Sequence, residues 1–567
     1  MHPWAVRVRR LAGLLALLAG LAQGMPAGTL DAAPDAAAGA RIYLDGILPS
    51  GAPLQARREN ETRVQGATAA CVSCHRRSGL GNVEGQSVVP PITTKYLMRS
   101  ALENGSDFDM SHVEGFHQGH VPYTDETLAH ALREGQAADG RTMSGLMPRY
   151  ELDAAAMADL IAYLHGLGAG PFPGVSETQL QFATIITPDA DPVERQAMLE
   201  VMQRFFKGQA DVIAAETRPL RTSREIKYRV TRQWRLHVWE LSGPPQGWQE
   251  QLESLQRTQP VFAVISGLGR ATWAPVHRFC EAAHLPCLFP NVDLPVVREQ
   301  DFYPVYFSRG VLLEADLLAQ WLAAHPGPGS GGRLLQVARA GDVGSEAAPA
   351  LAAALSARYA QRALRLAPAA APPVPSWWAE TLQGLGPADT LVLWMRPQDL
   401  RSLPAEPPKA GTILLSGLMG GMESAPLPPA WRARVHMSYP EDLPERRLAR
   451  MNFPFGWLRV QQLPLTAERV QVNTYLACVI ASETLGHMLD SFVPEYLIER
   501  LEMMISRRLA NAYFPRLGLA PGQRFASKGG YVVHFDPQGA GVPLPATATA
   551  AQAPATSVVA DTDWIVP

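Results

Sequence analysis

From Phe182 onward, short apolar runs alternate with amphipathic stretches, and the alternation predicts strands separated by helices. The strands fall at Phe182–Ile186, Leu236–Leu241, Val261–Ser266, Cys287–Phe289, Leu334–Val337, Thr390–Trp394, Thr412–Ser416 and Val435–Ser438. Helices fall between them at Val193–Phe206, Trp248–Gln256, Trp273–Ala283, Leu312–Ala323, Glu346–Tyr359 and Trp377–Leu385. This spacing argues for parallel sheets of the doubly wound α/β kind, one built before about residue 310 and one after about residue 330. Long helical stretches at Ala467–Leu489 and Pro494–Ala510 complete this region, residues 179–537. Upstream, residues 40–168 form a separate compact unit, and Gly/Pro-rich residues 169–178 read as a linker. Residues 538–567 are rich in Ala, Pro and Thr and read as a loosely ordered tail.

The amino end adds an address. Arg7, Arg9 and Arg10 precede the apolar run Leu11–Ala22, and Ala22-Gln23-Gly24 offers small residues for cleavage. That is the layout of a secretory signal peptide over residues 1–24, followed by a flexible leader, 25–39. The run is too short for a hydrocarbon core that needs roughly 20 residues. A periplasmic protein of a Gram-negative bacterium, not integral to the membrane, is therefore expected. The formal net charge of −3, with acidic and basic residues interspersed, leaves no excess of positive charge to displace counterions from a nucleic acid.

Cys71-Val72-Ser73-Cys74-His75 is the strongest chemical motif in the chain. Thiols three residues apart lie within one helical turn and can add to the two vinyl groups on adjacent haem pyrroles, while the next residue offers its imidazole to the iron. A thioredoxin-like pair would want a βαβ context and a zinc site a second Cys/His pair; the sequence around Cys71 supplies neither. One covalent haem c is the reading.

With that motif, residues 40–168 resemble a class I c-type cytochrome domain, which implies an all-α fold. The resemblance is carried by a helix near Ala40–Leu44, by Cys71–His75, by Met147-Pro148-Arg149-Tyr150, and by a closing helix Asp153–Leu167 with Leu160, Tyr163 and Leu164. It implies His75 and Met147 as axial ligands, a pairing whose soft thioether favours ferrous iron and raises the potential. Met143, His112, His117, His120 and His130 compete for the sixth position. Arg76 and Arg77, beside the motif, could form a docking patch for an acidic partner or be ordinary solvated surface.

Residues 179–537 resemble type I periplasmic solute-binding proteins of ABC transporters, including those linked to PQQ-dependent alcohol dehydrogenase systems. The resemblance rests on Phe182–Ile186, Val261–Gly267, Leu285–Pro290 and Tyr303–Phe307, and implies a two-lobed α/β fold with a cleft for a small solute. Two stretches depart from it. Thr187-Pro188-Asp189-Ala190-Asp191 replaces a small polar turn, and Gly267-Leu268-Gly269-Arg270 lacks the Ser/Thr pair that often holds an amino-acid carboxylate. Arg270 and Thr272 either bind an anion or simply start a helix. Cys280 and Cys287 are spaced for a structural disulfide in an oxidising compartment, and Cys478 reads as a buried thiol.

The chain is thus expected to be multidomain, an all-α cytochrome c domain followed by a two-lobed α/β periplasmic-binding-protein type I-like domain. It would transfer single electrons with a periplasmic redox partner, a quinoprotein dehydrogenase or a terminal oxidase, while the second domain docks a partner or senses a solute. The alternative is an ABC-type solute receptor with haem as a redox reporter. No hydrolytic triad, phosphate loop or paired-carboxylate signature stands out, so an enzyme is not expected.

Overall fold

The structure, a computed structural model, describes residues 33–59, 61–84, 87–98, 121–216, 232–298, 300–325, 332–359, 361–488, 491–536 and 558–567. The signal peptide, His112, His117, His120 and nearly all of the long loop 100–121 lie outside the described residues. The chain divides into two compact units that part between Ala169 and Gly170.

In the first unit α1 (Ala36–Asp45) starts where the Asp35 carboxylate accepts from the amide of Ala37 and stops at left-handed Gly46. It begins inside the stretch read as leader. Its partner is α5 (Ala154–Gly166), capped by Asp153. The two helices cross at Gly39, where a Cβ would lie 2.0 Å from the carbonyl oxygen of Asp159, and Tyr43 packs on Tyr163 with ring centroids 5.2 Å apart. Between them lie α2 (Val72–His75), α3 (Thr94–Leu97) and α4 (Asp125–Glu134), the last opened by a Thr124/Thr127 capping box.

The unit is not all-α. Strands β1 (Gln55–Arg57) and β2 (Arg63–Gln65) pair antiparallel, as do β3 (Asn82–Glu84) and β4 (Ser87–Val89), and β5 (Arg149–Tyr150) adds to β1. These segments are too short to show a strand period in the sequence. They pair because Ala56 stands opposite both Val64 and Tyr150, which brings three apolar side chains onto one face of the ribbon, against the helical core.

The second unit holds two sheets. The first is wholly parallel: β6 (Gln179–Ile186) pairs with β7 (Gln233–Glu240) on one side and with β8 (Ala263–Ile265) and β9 (Leu268–Gly269) on the other. Beyond these come β10 (Cys287–Leu288), β11 (Asn291–Val292) and β12 (Pro304–Val305). Positive φ at Ser266 and Gly267 breaks the predicted strand Val261–Ser266 from β9. Helices α6 (Pro192–Glu216), α7 (Trp248–Thr258) and α8 (Ala274–Ala282) belong to this first lobe, and the later helix Glu468–Gly486 packs back onto α6.

After α9 (Val311–Ala324) the chain builds a second sheet in the order β14-β13-β15-β16-β17-β18-β19. Strands β13 (Arg333–Arg339), β14 (Gln361–Ala367), β15 (Thr390–Trp394), β16 (Thr412–Ser416) and β17 (Val435–Tyr439) are parallel, with α10 (Gly344–Ala354) and α11 (Pro375–Leu382) between them. Two antiparallel strands then close the edge, β18 (Tyr531–Phe535) and β19 (Val558–Ala560). Residues 558–567, read as part of a loose tail, are therefore structural: Val558 is buried and Ile565 bridges to Gly530. Apolar clusters cover both faces of this sheet, which explains why β15 is buried at every position.

Candidate cofactor cavity and interlobe cleft

The turn α2 places Cys71, Cys74 and His75 together, with the amides of Cys74 and His75 both donating to the Cys71 carbonyl (3.2 and 2.9 Å). The turn ends at Arg76, whose φ of 66° is left-handed, and the Tyr43 hydroxyl from α1 donates to the Arg76 carbonyl at 2.7 Å. Cys71 is buried, 3.9 Å from the Tyr150 hydroxyl, and burial pushes its thiol up to about 11; Cys74 is half-buried.

His75 is 5% exposed and burial pushes it down to about 4, so the ring is neutral. Its Nδ1 lies 3.0 Å from the carbonyl oxygen of Pro90. A carbonyl only accepts, so the proton sits on Nδ1 and Nε2 keeps its lone pair. A carbonyl that fixes the tautomer in this way is a common support for a metal-ligating imidazole.

Cys71 and His75 open onto a cavity of about 980 Å³, mouth included, whose walls include Leu128, Leu132, Leu160 and Leu164. Both Met143 and Met147 line it. His130 does not: it is exposed on α4 and bonds Gln136 through Nε2 at 3.1 Å. The donor set fits an iron porphyrin: two thiols and an imidazole on one turn, two soft sulfur atoms, and apolar walls. Arg76 and Arg77 are half-buried and neither is free of partners.

In the second unit the two departures from the resemblance turn out to hold structure together. Thr187 Oγ1 donates to Asp189 Oδ1 (2.5 Å), and Asp189 Oδ2 accepts from the amide of Ala271 (2.7 Å), which ties the first strand's exit to the Arg270 loop. Asp191 caps α6 through the amides of Val193 and Glu194. Thr272 Oγ1 accepts from Ala274, as an ordinary helix start does, while Arg270 reaches the cleft wall. Cys280 and Cys287 are both buried free thiols, and burial, with Cys287 beside it, raises Cys280; Cys478 is buried as well.

The cleft between the lobes holds a charge network that no local motif announces. Asp293 accepts from Arg396 (2.7 Å) and Arg469 (2.9 Å), and Arg396 also grips Asp342 with two bonds of 2.9 Å. Burial opposes ionisation of Asp293, but the two guanidinium groups win and hold it well below the usual carboxylate range. Nearby, Glu441 is buried beside Arg447 (3.0 Å) and burial pushes it up to about 7. These residues are scattered from 293 to 469 and meet only because the chain crosses between lobes more than once. Their charge gives the sole hint in sequence, and it does not distinguish them from surface residues.

A cofactor turn on a helical unit and a cleft between two α/β lobes are the features that comparison with other proteins bears on. Residues 64–168 match the family model described as Cytochrome c, which implies a haem c cofactor there. No curated protein matches the chain. Among solved structures, it is similar to a fatty acid ABC transporter substrate-binding protein from Thermomonospora curvata: 15% identity, 70% of this chain and 95% of that one, TM-score 0.48. It is also similar to a solute-binding protein of an ABC transporter from Rhodopseudomonas palustris BisB5 in complex with 3,4-dihydroxybenzoic acid: 10% identity, 69% and 98% coverage, TM-score 0.48. A periplasmic substrate-binding protein from Ralstonia solanacearum gives 13% identity, 64% and 99% coverage and TM-score 0.46. The two-lobed description rests on the strand order and pairing of this chain itself. Among the described residues no helix is long and apolar enough to cross a membrane.

Proposed function

We propose that the chain is a periplasmic mono-haem c-type cytochrome that carries single electrons, an electron carrier and not an enzyme. The observation that carries this reading is the imidazole of His75, neutral and with Nδ1 committed to Pro90, on the same helical turn as two thiols and beside a largely apolar cavity. When bound, the haem supplies one-electron ferric/ferrous chemistry. Cys71 and Cys74 would hold it through their sulfur atoms, His75 Nε2 and the Met147 thioether would ligate its iron, and the leucine walls would keep water from it. With protein donors for the iron from both His75 and Met147, the site would suit single-electron transfer to a periplasmic redox partner such as a quinoprotein dehydrogenase or a terminal oxidase.

The second unit docks that partner or senses a small solute. A receptor role with haem as reporter is favoured by one feature, the polar cleft with buried acceptor atoms described next. The cytochrome reading is tested by maturing the protein in a host that attaches haem c. Haem that resists acid–acetone extraction and gives the pyridine haemochrome of two thioethers supports it; extractable haem, or no Soret absorbance, overturns it. The receptor reading is tested by a broad thermal-shift screen of the full chain against amino acids, alcohols, amines and small acids.

A further inference from the structure

The junction of the two lobes contains a second cavity of about 480 Å³, open solvent included, lined among others by Asn291, Asn473, Glu441, Phe307 and Phe514. Its polar atoms are unbalanced. The carboxamide oxygens of Asn291 and Asn473 are buried and have no hydrogen-bond partner, and Asn473 is only 9% exposed. Leaving a buried acceptor unmet costs on the order of 1–3 kcal/mol. The Asn291 amide nitrogen is already committed to Ser266 Oγ and Thr474 Oγ1 (3.1 and 3.2 Å), which turns its oxygen away from both hydroxyls. Glu441 adds a buried carboxyl group to the same wall, one oxygen of which accepts from Arg447 at 3.0 Å.

The positive groups of the cleft, by contrast, already have their anions. Arg469 is held by Asp293 and also faces Glu194 and Glu441; Arg396 is held by Asp293 and Asp342. Both guanidinium groups thus already have carboxylate partners within the chain. An apolar wall completes the cavity, with the Phe307 and Phe514 rings stacked at 5.2 Å and 24°.

We infer that this cavity takes a small primary alkylammonium, its three N–H donors directed at the oxygens of Asn291, Asn473 and Glu441 and its chain against Phe307 and Phe514, and that it rejects carboxylates. An ammonium is the head group that donates three bonds and accepts none, which is the complement of three acceptors. The inference rests on the receptor reading of the second unit and specifies its ligand class.

The test is isothermal titration of the full-length mature protein with n-butylammonium, n-butanol and n-butyrate, which share a chain and differ only in head group. The expected order is butylammonium tightest, butanol at least about tenfold weaker, and no measurable heat with butyrate. Asn473→Leu should weaken butylammonium about tenfold or more, whereas Asn473→Asp, which keeps the acceptors and adds charge, should bind it at least as tightly as wild type. Should the Leu variant misfold, the Asp variant and the three-ligand order still decide. Butyrate or butanol binding as tightly as butylammonium, or no heat with any of them because the cavity holds only water, overturns the inference. Binding of butyrate, or a hit with an acid in the broad screen, would overturn it while leaving the receptor reading standing.

Discussion

At the scale of single residues, the choice between Met143 and Met147 is open to a spectroscopic decision, since both side chains line the cavity. The Met147-Pro148 pair carries the cytochrome resemblance. Met147→Ala is expected to abolish the weak far-red charge-transfer band of the ferric protein and to let the ferrous form bind carbon monoxide, while Met143→Ala keeps the band. A second residue-scale prediction concerns Glu314, fully buried on α9, where it accepts from Ser416 Oγ, the Leu418 amide (2.9 Å) and Ser438 Oγ (2.8 Å). Burial outweighs those three bonds and pushes it from 4.5 to about 7. A carboxyl raised in the folded state binds its proton more tightly there than in the unfolded chain. Its stabilisation is therefore complete below about pH 4.5 and is lost as pH rises through 7. Glu441, also raised to about 7, acts with the same sign. Glu314→Gln should flatten part of the fall in melting temperature between pH 5 and pH 8, with a gain on the order of 3 kcal/mol at the alkaline end. A variant whose pH profile overlays wild type would refute the assignment.

Among elements, the crossing of α1 and α5 is the most sensitive point in the first unit. Any side chain at Gly39 must displace the Asp159 backbone, so Gly39→Ala should lower stability by about 1–3 kcal/mol, read from denaturant midpoints of the haem-loaded protein. The same view of elements explains what could be read beforehand. β15 and β16 coincide with the runs Thr390–Trp394 and Thr412–Ser416 because a strand covered on both faces is an unbroken apolar run. β14 escaped notice because Gln361–Leu366 is exposed at every position and carries no burial pattern. β18 and β19 are joined by an Ala/Pro/Thr-rich stretch whose composition masked the return of the chain to the sheet. The cofactor turn was legible because its chemistry is local to five residues. The cleft was not, because Asp293, Arg396 and Arg469 acquire meaning only through long-range folding.

For the second unit as a whole, Asp293 is the fastener between lobes. It follows β11 in the first lobe, while Arg396 follows β15 in the second, and their bond of 2.7 Å is buried. Arg469, at the start of the helix that packs back on α6, shares the same carboxylate. A buried pair of this kind contributes little against a well-packed apolar substitute, yet removing one partner of it is costly, up to about 3–5 kcal/mol. Without Asp293, Arg396 keeps Asp342 on its own lobe but loses its anion on the first lobe, and Arg469 loses the carboxylate it shares, so the variant favours an open cleft over a merely weakened one. Asp293→Ala should therefore both lower the melting temperature and raise the radius of gyration measured by small-angle scattering, and high salt should restore neither, because the pair is shielded from solvent. Asp342→Ala, which removes a partner within the second lobe only, should destabilise without expansion. Equal compaction of the two variants would show that the lobes are held by their apolar contacts and that Asp293 serves the charge balance of the cleft alone.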